Sequence, residues 1–114
     1  MEIIHYLRPN GKDPYQDWLN NITDQKARVT IDRRIERVTN GTFGDHKFCD
    51  QGVWELRIDT GPGYRVYYAQ QRNQIVILLA GGTKKSQQKD IETAIEYLED
   101  FKRIERETKN ATTL

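Results

Sequence analysis

Beyond Gly44 the chain changes its period. Before that point apolar residues recur at helical spacing; after it they alternate, in three segments spanning Val53 to Ile58, Tyr64 to Gln70 and Gln74 to Ala80. A period of two marks strands with two distinct faces, and Gly61-Pro62-Gly63 and Arg72-Asn73 supply tight turns between them, so the segments imply an antiparallel sheet. A weaker strand is expected near His46 to Cys49.

The flanks supply the cover such a sheet needs. Ile3 to Leu7 reads as a first strand closed by Pro9-Asn10-Gly11. Asp13 is placed to cap a helix and Pro14 to open it, with Tyr15, Trp18, Leu19 and Ile22 on one face. Thr23 or Asp24 caps a second helix carrying Ala27, Ile31, Ile35 and Val38 at helical spacing, and Asn40-Gly41 stops it. From Ser86 onward Ile91, Ala94, Ile95, Leu98 and Phe101 define a last helix, expected to end near Glu105. The expected fold is α+β in the order β-α-α-β-β-β-α: a small, mostly antiparallel twisted sheet packed on an N-terminal helical hairpin, with a C-terminal helix. At 114 residues one domain, 1–107, suffices, with 108–114 a frayed tail.

Sheet register follows from keeping apolar side chains together, because a one-residue slip turns every side chain over. Setting Arg57 opposite Arg65 puts Leu56 and Ile58 beside Val66 and Tyr64 on one face and leaves Glu55, Arg57, Arg65 and Tyr67 on the other. In the next hairpin, pairing Gln71 with Gln74 aligns Val66 with Leu79 and Tyr68 with Ile77, and Arg65 with Ala80. Apolar Val76 and Leu78 on the arginine face then imply strands covered on both sides, with the last helix as the second cover. Trp18, Trp54, Tyr64 and Tyr68 read as core.

Two arginines facing each other repel by up to about 1 kcal/mol when exposed, so an anion is expected nearby. Glu55 would make an ordinary salt-bridged surface; a phosphate is the other candidate, since the guanidinium fork matches it. Gly81-Gly82-Thr83-Lys84-Lys85-Ser86 leads into the last helix, where free N–H groups and the helix dipole attract anions. It lacks the P-loop pattern, so no nucleotide site is implied. Tyr67 is either one more core ring or a platform for a stacked base.

Charge distribution agrees with a basic centre. The formal net charge is only +1, yet residues 44–89 hold seven bases against four acids, and residues 90–107 hold seven acids against three bases. Cys49 stands alone, which leaves no internal disulfide or CxxC motif and suits a reducing cytoplasm. Met1 to Arg8 carries an acid and a histidine, unlike a secretory signal, and the longest apolar run, Ile75 to Ala80, has six residues where a membrane helix needs about 18. His5 and His46 fall into no metal-ligand or triad spacing, His46 remaining only a candidate proton carrier. No metal site and no cofactor are expected.

The strings WELRIDTGPGYRVYY and IVILLAGGTKKSQQKDIETA resemble the signature half of RelE/ParE-superfamily toxins of type II toxin-antitoxin modules, most of all the HigB-like addiction-module killer proteins. The resemblance covers residues 1–104 and is specific from Trp54 to Ala94. It implies a cytoplasmic toxin held inactive by a cognate antitoxin of helix-turn-helix type, meeting operator DNA only through the antitoxin complex. RelE-like members cut mRNA in the ribosomal A site, which makes ribosome and mRNA the expected partners. The corresponding residues are Arg57, Arg65 and Lys85, with Lys84 beside it. Where many members carry a tyrosine or histidine early in, or just after, the last element, this chain has Gln87, Gln88, Asp90 and Ile91.

Two activities and one bland reading stay open. In the first, a 2′-hydroxyl attacks the adjacent phosphate without metal: Arg57, Arg65 and Lys85 stabilise the phosphorane, Lys84 and Lys85 hold RNA, Tyr67 stacks a base and Glu55 accepts the proton. In the second, ParE-like reading, the same fold poisons DNA gyrase without cleaving RNA. In the third the chain is an interaction module whose arginines are neutralised by Glu55.

Overall fold

The computed structural model describes residues 1–112. The sheet has five strands: β1 (Glu2–His5), β2 (His46–Asp50), β3 (Val53–Ile58), β4 (Tyr64–Gln71) and β5 (Ile75–Thr83). Three helices complete the fold, α1 (Pro14–Asn20), α2 (Gln25–Thr39) and α3 (Gln87–Thr112), the last entered through a 3-10 turn at Lys84–Ser86. Strand order is β1-β5-β4-β3-β2, with β1 parallel to β5 and every other neighbour antiparallel. The architecture is the expected α+β one, and the weak strand at His46 is real.

Local chemistry sets the helix ends. The Asp13 carboxylate accepts the Gln16 N–H at 3.0 Å, and Asp24, rather than Thr23, accepts the Lys26 and Ala27 N–H groups. The last helix runs past the expected end near Glu105 to Thr112. Ion pairs of Arg103 with Asp100 and Glu107, one turn apart, support that exposed extension. The final two positions of the expected frayed tail, 113–114, lie outside the described residues.

Two cores flank the sheet. On one face Leu56, Ile58, Tyr64, Val66, Tyr68, Val76 and Leu78 pack with Tyr15, Leu19, Ala27, Ile31 and Val38 from α1 and α2. On the other, Val53, Tyr67, Ala69, Ile77, Leu79 and Ala80 pack with Ala94 and Leu98 of α3. The last helix is therefore the second cover. Trp18 and Trp54 are only partly buried, at the margin of the first core.

The β3–β4 register is the expected one, Arg57 opposite Arg65 and Leu56 opposite Val66. The β4–β5 register is not. Arg72 and Asn73 both take left-handed φ, 53° and 56°, and the first pair outside the turn is Gln71 with Ile75, not Gln74. The ladder shifts again between Tyr67 and Tyr68, where Tyr67 pairs with Ala80 and Tyr68 with Leu78, leaving Leu79 as an extra residue. As a result Leu79 and Ile77 face α3, Val76 and Leu78 face α1 and α2, and Arg65 lies opposite Gly82 instead of Ala80.

That bulge carries β5 through the expected glycine loop. A Cβ on Gly81 would lie 2.0 Å from Trp18 Cε3, and one on Gly82 would lie 1.9 Å from Asp90 Oδ2. The two glycines are strand residues on which a ring from α1 and a carboxylate from α3 rest directly, one on each face. Only Lys84 to Ser86 remain as the turn into α3.

Candidate functional site

The arginine pair sits where β3, β4 and the start of α3 meet. Register fixes Glu55, Arg57, Arg65 and Tyr67 on the α3 side of the sheet, and the sequence-predicted cluster is thus brought together. Burial divides it sharply. Arg57 keeps 31% of its side-chain surface exposed, whereas Arg65 is 6% exposed, Glu55 1% and Tyr67 0%.

Glu55 is the inner partner of Arg57. Arg57 Nε donates to Glu55 Oε1 at 3.0 Å, and Gln87 Nε2 donates to Glu55 Oε2 at 2.8 Å and Oε1 at 3.1 Å. The hydrogen bond to Glu55 raises the Arg57 guanidinium above its ordinary basicity. Arg57 is held from its backbone too: its N–H donates to the Asp45 carbonyl at 2.9 Å, and its carbonyl accepts from Arg34 Nη1 at 2.7 Å. Arg34 also reaches the Phe43 and Asp45 carbonyls, which ties α2 to the loop before β2.

Arg65 lies deeper. Its Nη1 donates to the Tyr64 carbonyl at 3.0 Å and stands 3.6 Å from Asp59 Oδ1, while its buried Nε has no protein partner among the described residues. The same holds for the Tyr67 hydroxyl. Burial, then the nearby Glu55 and Asp90 carboxylates, push the Tyr67 phenol well above its ordinary range, so it stays protonated at neutral pH. With no exposed face, Tyr67 gives a base nothing to stack on, which corrects the platform expectation: α3 covers it.

The basic turn is anchored beside this cluster. Lys84 N–H donates to the Gly63 carbonyl at 2.7 Å, joining the 3-10 turn to the β3–β4 turn. Ser86 Oγ donates to Asp90 Oδ2 at 2.5 Å and pins the first turn of α3 over Gly82. The side chains of Lys84 and Lys85 are exposed. Arg57, Lys84 and Lys85 therefore form the accessible cationic surface, with Arg65 beneath its rim.

Other candidates stand apart. His46 is exposed at the start of β2, its Nδ1 2.9 Å from the Gly44 carbonyl and its ring against Phe43 and Trp54; His5 Nδ1 contacts Asp13 Oδ2 at 2.6 Å. Burial and the Glu55 charge push the Cys49 thiol up to about 11, which leaves it protonated and unreactive at neutral pH. Among the described residues no three His, Cys, Asp or Glu side chains gather as a metal site, and no helix is long and apolar enough to cross a membrane. A groove lined by Arg72, Phe101, Ile104, Glu105, Thr108 and Lys109 lies at the other end of α3, about 20 Å from Gln87 at the helical rise. It shares no residue with the cluster.

Sequence reasoning passed over Gln87, Ser86 and Asp90 as site residues. The missed signal was available: Gln87 occupies the same helical stripe as Ile91, Ala94 and Leu98, so it is a polar residue on the inward face.

The family model for phage-derived Gp49-like proteins (DUF891) matches residues 17–104, a span from α1 through most of α3 that includes the whole cluster. The chain belongs to this Gp49-like family. Gp49-like proteins are a RelE/HigB-like toxin family of toxin-antitoxin modules. An uncharacterised protein of Haemophilus influenzae is 46% identical over 80 residues, which cover 70% of this Gp49-like chain and 81% of that protein.

Proposed function

We propose that the chain is the toxin of a type II toxin-antitoxin pair and acts as a metal-independent, ribosome-dependent mRNA endonuclease of HigB-like type in the cytoplasm. The observation that supports this best is the gathering of Arg57, Arg65, Lys84 and Lys85 where the β3–β4 turn meets the 3-10 turn into α3, with Arg57 and both lysines open to solvent. Guanidinium and ammonium groups there would bind the phosphates flanking the cut and stabilise the charge that builds on the phosphorane. The 2′-hydroxyl attacks the adjacent phosphorus, the 5′-oxygen leaves, and the products are a 2′,3′-cyclic phosphate and a 5′-hydroxyl. The proton lost by the attacking oxygen and the one gained by the leaving oxygen are exchanged with water.

Glu55 changes role in this scheme. A carboxylate with 1% exposure, covered by Gln87, cannot reach a 2′-hydroxyl from where it stands. It serves instead as the fixed counter-charge that orients Arg57, and Tyr67 forms the floor beneath it. The antitoxin would cover the basic surface with acidic residues, leaving ribosome and mRNA as partners of the free toxin.

Cleavage of mRNA on programmed ribosomes in EDTA, with cyclic-phosphate ends, is the expected result. Unchanged cleavage by the Arg57→Ala/Arg65→Ala protein would refute the site. Intact RNA together with gyrase-dependent DNA breaks would favour the ParE-like alternative.

A further inference from the structure

We infer that Gln87 is a positioning residue that acts on Arg57 through Glu55. The inference rests on the proposed RNA cleavage, in which Arg57 meets the phosphate.

A buried carboxylate needs a donor for each oxygen. Arg57 Nε serves only Oε1; Gln87 Nε2 serves Oε2 and shares Oε1. Without Gln87, Oε2 would lose its 2.8 Å donor and the carboxylate would be free to turn. The Nε–H of Arg57 then loses its fixed acceptor. With that acceptor in place, the guanidinium is tethered by one edge, and both terminal nitrogens, which make no hydrogen bond or ion pair among the described residues, remain to fork a phosphate.

The place of Gln87 in the chain gives the contact a second consequence. It is the first residue of α3, directly after the turn bearing Lys84 and Lys85. The same hydrogen bonds that hold Glu55 therefore fix the basic turn relative to β3. Arg57 and the lysines are set in one geometry by a side chain that touches no substrate.

Groups facing Glu55 come from four elements: Lys47 and Cys49 on β2, Arg57 on β3, Tyr67 on β4, and Gln87 on α3. Tyr67 and Cys49 are neutral at neutral pH. Gln87 supplies a donor to Glu55 without adding a charge beside Arg57.

The test compares wild type with Gln87→Met, which keeps length and volume and removes the donor. Two readouts are followed: kcat and KM for ribosome-dependent cleavage, and the nitrogen NMR signal of the Arg57 Nε–H. The expected result is a loss of about 10-fold to 100-fold in kcat with KM little changed. The Nε–H signal loses its protection while the protein stays folded. Unchanged kcat with a protected Nε–H would overturn the inference. If wild type leaves RNA intact, the functional reading falls and the NMR arm decides alone: lost protection upholds the positioning, retained protection overturns it.

Discussion

Gly81→Ala tests why β5 continues where the sequence suggests a loop. The added methyl would stand 2.0, 2.2 and 2.5 Å from Trp18 Cε3, Cδ2 and Cζ3, against the roughly 3.5–4.0 Å of an ordinary carbon contact. The indole would have to retreat by about 1.5 Å, the difference between the two. Its neighbours resist: Tyr15 and Tyr64 hold ring centroids 5.9 and 6.3 Å from it. Overpacking of this kind costs about 1–3 kcal/mol, and the reduced freedom of the unfolded chain returns about 0.4–1. A net loss of about 1–2 kcal/mol corresponds to a fall of about 5–10 °C in Tm for a domain of this size. The decisive assay is a double-mutant cycle by urea unfolding with Trp18→Ala. With the ring gone, alanine at 81 should cost nothing or stabilise slightly, which gives a coupling of about 1–2 kcal/mol. An equal cost in both backgrounds would refute the close packing.

Three further outcomes follow from the same contacts. Tyr67→Phe removes a hydroxyl without a partner among the described residues, so the free energy of urea unfolding should change by less than about 1 kcal/mol and RNA cleavage should persist. Arg34→Lys replaces a fork that reaches three carbonyls with a single ammonium, and a loss of about 1–3 kcal/mol in chemical denaturation is expected. Burial and the Asp100 hydrogen bond push Tyr6 from 10.0 up to about 12; its contribution to stability is complete below pH 10, declines as the unfolded phenol ionises, and is lost as pH rises through about 12. Tyr6→Phe should flatten that part of the alkaline stability profile.

Legibility in the sequence follows the contrast between faces. β3 and β4 alternate polar and apolar residues, so only one register keeps Leu56, Ile58, Val66 and Tyr64 together, and Arg57 falls opposite Arg65. β5 offers no such contrast: Ile75 to Ala80 is apolar throughout, both of its faces are buried, and a bulge at Leu79 is invisible to a pattern that assumes strict alternation. Gly81 and Gly82 carried a loop signal because their role is set by Trp18 and Asp90, residues distant in the chain or across a turn. In the site, pairing of the arginines was readable from local pattern, whereas the depth of Glu55 and Tyr67 depended on where α3 lands. Gln87 shows the cost of reading a polar residue at a helix start only as a missing catalytic group.

RNA cleavage at the Arg57 and Arg65 site is the activity on which the rest depends. Mapping transcript 5′ ends after inducing the chain in cells, beside a DNA-damage readout, tests it most directly. Wild type should yield new 5′-hydroxyl ends within coding regions and undamaged DNA, and Arg57→Ala/Arg65→Ala should abolish those ends. Intact transcripts with accumulating DNA breaks, or the same ends from the double variant, would contradict it.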